Sequence, residues 1–199
     1  MNHFTLQSYL SANIDIDNQK LQELLSKCAI KLYKSGSFLL KEGEKSQFSF
    51  FVEKGLLRQY SIDNKGKEHI IQFAPEKWFL ADRESVYLKQ PSSYFIQALE
   101  DTEVFLIEEK LMDKLSASDN NFMRFNNQLL HKHIASLQKR ITQLQSATAE
   151  ERYLDFIKTY PDILLRVPQT MVASYLGITP ESLSRIRKGL AEKNYNSSC

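Results

Sequence analysis

Apolar residues between Asp17 and Leu32 fall at helical spacing, with Leu21, Leu24, Leu25 and Cys28 on one side, which predicts a short amphipathic helix before the first glycine. From Tyr33 the period changes. Six short β-like runs follow as far as Ile107, namely SFLLK, FSFFVEKG, LLRQYSI, HIIQFA, YFIQAL and EVFLI. Turn residues bound them, among them Lys34-Ser35-Gly36, Glu42-Gly43-Glu44, Lys54-Gly55, Asp63-Asn64-Lys65-Gly66 and Gln90-Pro91-Ser92. Strands at this spacing predict a compact antiparallel barrel or jelly roll, interrupted over Glu76–Lys89 by a short helix or loop. Beyond Glu108 the period is helical throughout. Met123, Leu130, Ile134, Leu137, Ile141, Leu144 and Thr148 form a heptad seam with Asn127 at one polar core position, implying one long helix over residues 120–149. Sustained heptads with polar flanks favour an intermolecular coiled coil over an internal packing face. Residues 147–151 end the seam, and a second helix from Glu150 to Tyr160 stops before Pro161, which places the interdomain hinge here.

A chain of 199 residues with 42% apolar and 25% charged residues suits two globular domains. No stretch approaches the roughly 20 apolar residues of a membrane span, and the N-terminus has neither a basic leader nor an apolar core, so the expected location is the cytoplasm, with no membrane partner. Cys28 and Cys199 read as two reduced, structurally incidental thiols. The net charge of +2 is uninformative, but its distribution is not. Residues 120–149 contain no acid while Arg124, Lys132, Lys139 and Arg140 are basic, and Arg166, Arg185, Arg187, Lys188 and Lys193 outnumber Glu181 and Glu192 further on. A solvated basic face and a nucleic-acid surface would both give this pattern.

The segment QTMVASYLGITPESLSRIRK, from Gln169 to Lys188, separates the two. Ala173 is small enough for two helices to approach, and Gly177 supplies the left-handed conformation of a three-residue turn. Val172, Leu176, Ile178, Leu183 and Ile186 provide buried faces, Thr179 can cap the second helix, and Pro180 suits its first turn. These are the parts of a helix-turn-helix whose recognition helix runs roughly over residues 180–190. Such a helix enters the major groove by its N-terminal residues, here Pro180, Glu181, Ser182, Ser184, Arg185 and Lys188. Arg185 suits guanine O6 and N7, Glu181 suits cytosine N4, and Gln169, Thr179, Arg187 and Lys188 suit phosphates. A helical hairpin that merely packs is the alternative.

Taken together with Gly36, Gly43 and Gly55, the runs FVEKGLLRQY and DNKGKEHIIQFAPEKWF and the C-terminal AEERYLDF…VPQTMVASYLGITPESLSRIRK, the chain resembles the Crp/Fnr family of transcription regulators over nearly its whole length. The resemblance implies an α+β chain: an N-terminal antiparallel β-roll (jelly-roll, cyclic-nucleotide-binding-like) with flanking helices over residues 1–119, a long dimerisation helix over 120–149 and a C-terminal winged helix-turn-helix over 150–199. It implies a homodimer on a pseudo-palindromic double-stranded operator, held together by Leu130, Ile134, Leu137, Ile141 and Leu144, with RNA polymerase as a candidate partner. Glu181 and Arg185 match the family's base-reading pair, whereas Pro180 stands where many members have Arg. In members that bind cyclic AMP a Gly-Glu pair and an Arg-Ser pair hold the nucleotide; the matching places are Ala81-Asp82 and Ser92-Ser93, with Arg83 elsewhere in the loop. Without that arginine no fixed positive charge meets the phosphate, so the expected pocket is degenerate, cyclic AMP is not the effector, and the effector is left unnamed. Two cysteines cannot supply an iron–sulfur cluster, and His3, His69, His131 and His133 have no ligating spacing, so neither cofactor nor metal is expected. No hydrolase, P-loop, dinucleotide or zinc-protease motif is present, which argues against an enzyme. A cyclic-nucleotide-responsive regulator and a ligand-binding β-roll without DNA binding are the competing readings.

Overall fold

The computed structural model describes residues 6–196; His3 and Cys199 lie outside them. Helices α1 (Leu6–Asn13) and α2 (Asn18–Ser26) precede strands β1 (Ala29–Tyr33), β2 (Phe38–Leu40), β3 (Phe48–Lys54), β4 (Leu57–Ile62), β5 (Glu68–Ala74) and β6 (Phe79–Leu80). Helix α3 (Arg83–Leu88), strands β7 (Phe95–Ala98) and β8 (Thr102–Glu108), and helices α4 (Glu109–Ser118), α5 (Asn120–Ser146), α6 (Ala149–Thr159), α7 (Ile163–Arg166), α8 (Gln169–Leu176) and α9 (Pro180–Asn196) complete the order. The strands form two four-stranded sheets, β1-β8-β3-β6 and β2-β7-β4-β5.

The apolar run of β3 explains how these layers stack. Side chains alternate along a strand, so Phe50 and Val52 point one way and Phe51 the other. Phe50 and Val52 join Leu40, Leu57, Ile96 and Val104 in a core made from both sheets. Phe51 joins Phe105 on the opposite face, where Leu6, Leu10, Leu21, Leu24, Met112, Phe122 and Phe125 from α1, α2, α4 and the start of α5 cover it. Both faces of β3 are buried, hence its run lacks polar alternation. Tyr9 closes this layer, its ring centroid 5.4 Å from Phe51 and 5.7 Å from Phe79. Cys28 is buried here too; its Sγ donates to the Leu24 carbonyl at 3.4 Å, and burial pushes its thiol up to about 11.

Several elements depart from the sequence reading. The helix expected over Asp17–Leu32 is α2 and ends at Ser26, because Ala29–Tyr33 pairs antiparallel with β8; five residues carry too little periodic signal to separate a helical turn from an edge strand. Helix α1 had no counterpart in the periodicity, and the interruption over Glu76–Lys89 contains both β6 and α3. Asp119 separates α4 from α5 by accepting the Asn121 and Phe122 amides at 3.0 and 3.1 Å. Thr148, assigned to the seam, instead caps α6: its ψ of 160° is not helical, and its hydroxyl and Glu151 form a capping box. Among the described residues no strand follows Glu108, so the helix-turn-helix carries no wing there. No helix among these residues is long and apolar enough to cross a membrane.

The chain divides into two compact units, one holding residues up to Lys67 and Ile71–Lys132, the other holding Glu68–Ile70 and the chain from His133 onward. The division falls inside α5.

Gly55, with φ +97°, joins β3 to β4 at a point where an added Cβ would lie 2.5 Å from Thr102 Oγ1 and 2.7 Å from Thr102 Cα. Gly66 has φ +78° but open space around it. Gly55→Ala is therefore expected to cost about 3 kcal/mol or more and Gly66→Ala about 1 kcal/mol, read from the shift in thermal or urea unfolding.

Candidate nucleic-acid interface

Pro168 enters α8, and Gly177, with φ +67°, turns the chain toward α9. Val172, Ala173 and Leu176 on α8 and Leu183 on α9 are buried, as are Tyr153, Phe156 and Ile163, while Ile178 and Ile186 are half-buried. The two helices cross on small and branched side chains, as the sequence requires of a helix-turn-helix. Thr179 caps α9, its Oγ1 accepting the Ser182 amide at 3.2 Å. Helix α9 runs on to Asn196, past the expected end near Leu190, because Leu190, Ala191, Glu192 and Lys193 are strong helix formers and Lys193 pairs with Glu150 at 2.8 Å.

Pro180, Glu181, Ser184, Arg185, Arg187 and Lys188 are all exposed on α9, with Gln169 and Thr179 exposed at the ends of the motif. Glu181 and Arg185 stand one turn apart and Lys188 follows on the same side. Ser182 does not belong with them; it is half-buried, and its hydroxyl lies 3.2 Å from that of Thr179. The Glu181 carboxyl is held below the usual range by its own backbone amide, the Thr179 hydroxyl and the nearby Arg185. It is thus an anion and a hydrogen-bond acceptor at neutral pH. A row of this kind offers one acceptor and one forked donor to a groove, with cations beside them for phosphates.

The residues read as a degenerate effector pocket lie in the β-roll around α3. Asp82 is buried and caps α3, Oδ1 accepting the Glu84 amide at 3.2 Å, while Oδ2 has no hydrogen-bond partner. The Arg83 guanidinium sits over the Tyr87 ring at 5.3 Å. Ser92 is buried, its hydroxyl bonded to the amide and carbonyl of Tyr94 and its backbone to Gly43 and Glu44. Ala81 is half-buried and Ser93 exposed. Sequence reasoning missed Arg58, which is buried on β4 over the Tyr60 ring at 4.0 Å and donates to Gln97 Oε1 at 2.9 and 2.7 Å. The signal was the charged residue inside LLRQYSI, whose four residues Leu57 to Tyr60 are all buried. Among the described residues no group of three His, Cys, Asp or Glu side chains is placed to hold a metal.

Residues 30–119 match the model of the cyclic nucleotide-binding domain. The cAMP-activated global transcriptional regulator CRP of Salmonella typhimurium is 24% identical over 187 residues, covering 87% of this chain and 88% of that protein. The fumarate and nitrate reduction regulatory protein of Yersinia pestis is 27% identical over 167 residues, 78% of this chain and 66% of its own. The structure of FixK2 from Bradyrhizobium japonicum superimposes with a TM-score of 0.73 at 19% identity, covering 84% of this chain and 86% of that one. Over most of its length the chain is similar to transcription regulators of the Crp/Fnr type. The domain match is confined to the β-roll and its margins, whereas the matches to whole regulators extend across most of the chain. The relatives that match across most of this chain are regulatory proteins.

Thr179→Ala is expected to destabilise the C-terminal unit by about 1 kcal/mol through loss of the α9 cap, measured by chemical denaturation.

Proposed function

We propose that the chain binds a pseudo-palindromic operator as a homodimer, reading bases with Glu181 and Arg185 and anchoring on phosphates with Gln169, Arg187 and Lys188. The observation that carries this reading is the exposed row Glu181, Arg185 and Lys188, presented on the N-terminal half of a helix whose other face is buried by Leu183. An ionised Glu181 beside Arg185 suits a step with one cytosine and one guanine edge. Dimerisation uses α5, where Met123, Ile134, Leu137, Ile141 and Leu144 remain 40 to 56% exposed and Leu130 half-buried along a single stripe. Cyclic AMP is not the effector, since Ser92 stands where an arginine would meet the phosphate and its hydroxyl is spent on Tyr94.

Selection of DNA from a random pool by the purified protein, with and without cyclic AMP, tests the whole reading. A two-fold symmetric site with half-sites about 34 Å apart is expected, unchanged by the nucleotide; enrichment of no sequence would sink the readout, and a strong shift with cyclic AMP would sink the effector assignment. Arg185→Ala should lower discrimination at one G·C step by about 1–3 kcal/mol in competition binding. Leu137→Asp should sediment as a monomer at micromolar concentration where the parent protein is a dimer.

A further inference from the structure

The last four carbonyls of a helix have no partner within it. In α8 these belong to Ala173, Ser174, Tyr175 and Leu176. The turn itself meets two of them: the Gly177 amide donates to Ser174 O at 3.1 Å and the Ile178 amide to Ala173 O at 3.0 Å. The other two are met from neighbouring helices. Arg140 on α5 donates from Nη2 to Tyr175 O at 2.9 Å, and Arg152 on α6 donates from Nε to Leu176 O at 3.0 Å. Arg152 also reaches Ala147 O at 2.7 Å, just past the end of α5. The Arg140 guanidinium lies over the Tyr175 ring, 3.7 Å from its centroid, and that ring packs on Phe156 and Tyr160 at 5.3 and 5.7 Å. One turn further along α5, Leu144 stands 3.3 Å from the place a Cβ on Gly177 would occupy. Two guanidiniums thus sit at the negative end of the α8 dipole and tie it to α5 and α6.

We propose that Arg140 and Arg152 are positioning residues for operator recognition: they fix α8, and through the turn at Gly177 the recognition helix α9, to the C-terminal half of α5. In the dimer proposed above, on which this inference rests, each α9 is then held at one distance from its counterpart. Neither arginine lies on α9, so neither is needed to read a single half-site. Their contribution falls on binding two half-sites at once, where the second contact depends on the effective concentration that a fixed separation provides. Arginine suits the place because its fork reaches carbonyl oxygens while its plane stacks on an aromatic ring, and lysine can do only part of this.

The test uses full-length parent protein, Arg140→Gln and Arg140→Lys, each checked for folding by circular dichroism. Binding is measured to one selected half-site and to paired half-sites at the selected spacing and at spacings altered by one to three base pairs. Arg140→Gln is expected to lose about tenfold in affinity at the selected spacing, to keep parental half-site affinity and to give a flattened spacing profile, with Arg140→Lys intermediate. A parental spacing profile in Arg140→Gln would overturn the proposal. So would a matching loss of half-site affinity, which would mean that the arginine maintains the motif and not its placement. If Arg140→Gln does not fold, Arg140→Lys is read by the same measures: partial flattening with intact half-site binding supports the proposal, and an unchanged profile overturns it. Failure of the parent protein to bind any half-site would instead overturn the reading of α9, and this inference with it.

Discussion

Helix α5 must divide one surface among neighbours of different kinds. Its first turns give Phe122 and Phe125 to the layer of helices on the β-roll. Met123, next to Phe122, begins a second stripe, because consecutive residues on a helix diverge by about 100°. That stripe continues through Leu130, Ile134, Leu137, Ile141 and Leu144 and is largely exposed. Arg140, beside Ile141, is directed at α8 instead. What a substitution on α5 meets therefore depends on its position: a core at Phe125, the apolar stripe at Ile141, a carbonyl at Arg140.

What could be read in advance follows the distance between cause and effect along the chain. The helix-turn-helix was legible because Ala173, Gly177, Thr179 and Pro180 act on neighbours within a few residues, and the structure places each as the local chemistry demands. The heptad stripe was legible for the same reason. Ser182 was misjudged because capping by Thr179 draws it inward, a local effect that spacing alone does not weigh. β1 was hidden since its pairing with β8 joins Ala29 to Leu106, and nothing near Ala29 announces it. Arg140 and Arg152 act on carbonyls 35 and 24 residues away, so they entered the sequence reading only as charge or not at all.

Polar residues inside the β-roll are engaged by the roll's own backbone and side chains. Asp82 and Ser92 keep structural work, capping α3 and closing a loop on Tyr94. The buried cation of the second sheet, Arg58, is engaged by Gln97 and the Tyr60 ring. Burying a guanidinium is tolerable only when its donors find acceptors, so these partners constrain what else could enter that interior.

Cys28 gives one consequence of a different sort. With burial holding its thiol up at about 11, the reactive thiolate amounts to about one molecule in ten thousand at pH 7, and the sulfur is enclosed by Leu24 and its neighbours. Oxidants act on thiolates that they can reach. Burial and a raised pKa therefore both disfavour oxidation of Cys28 in the folded protein.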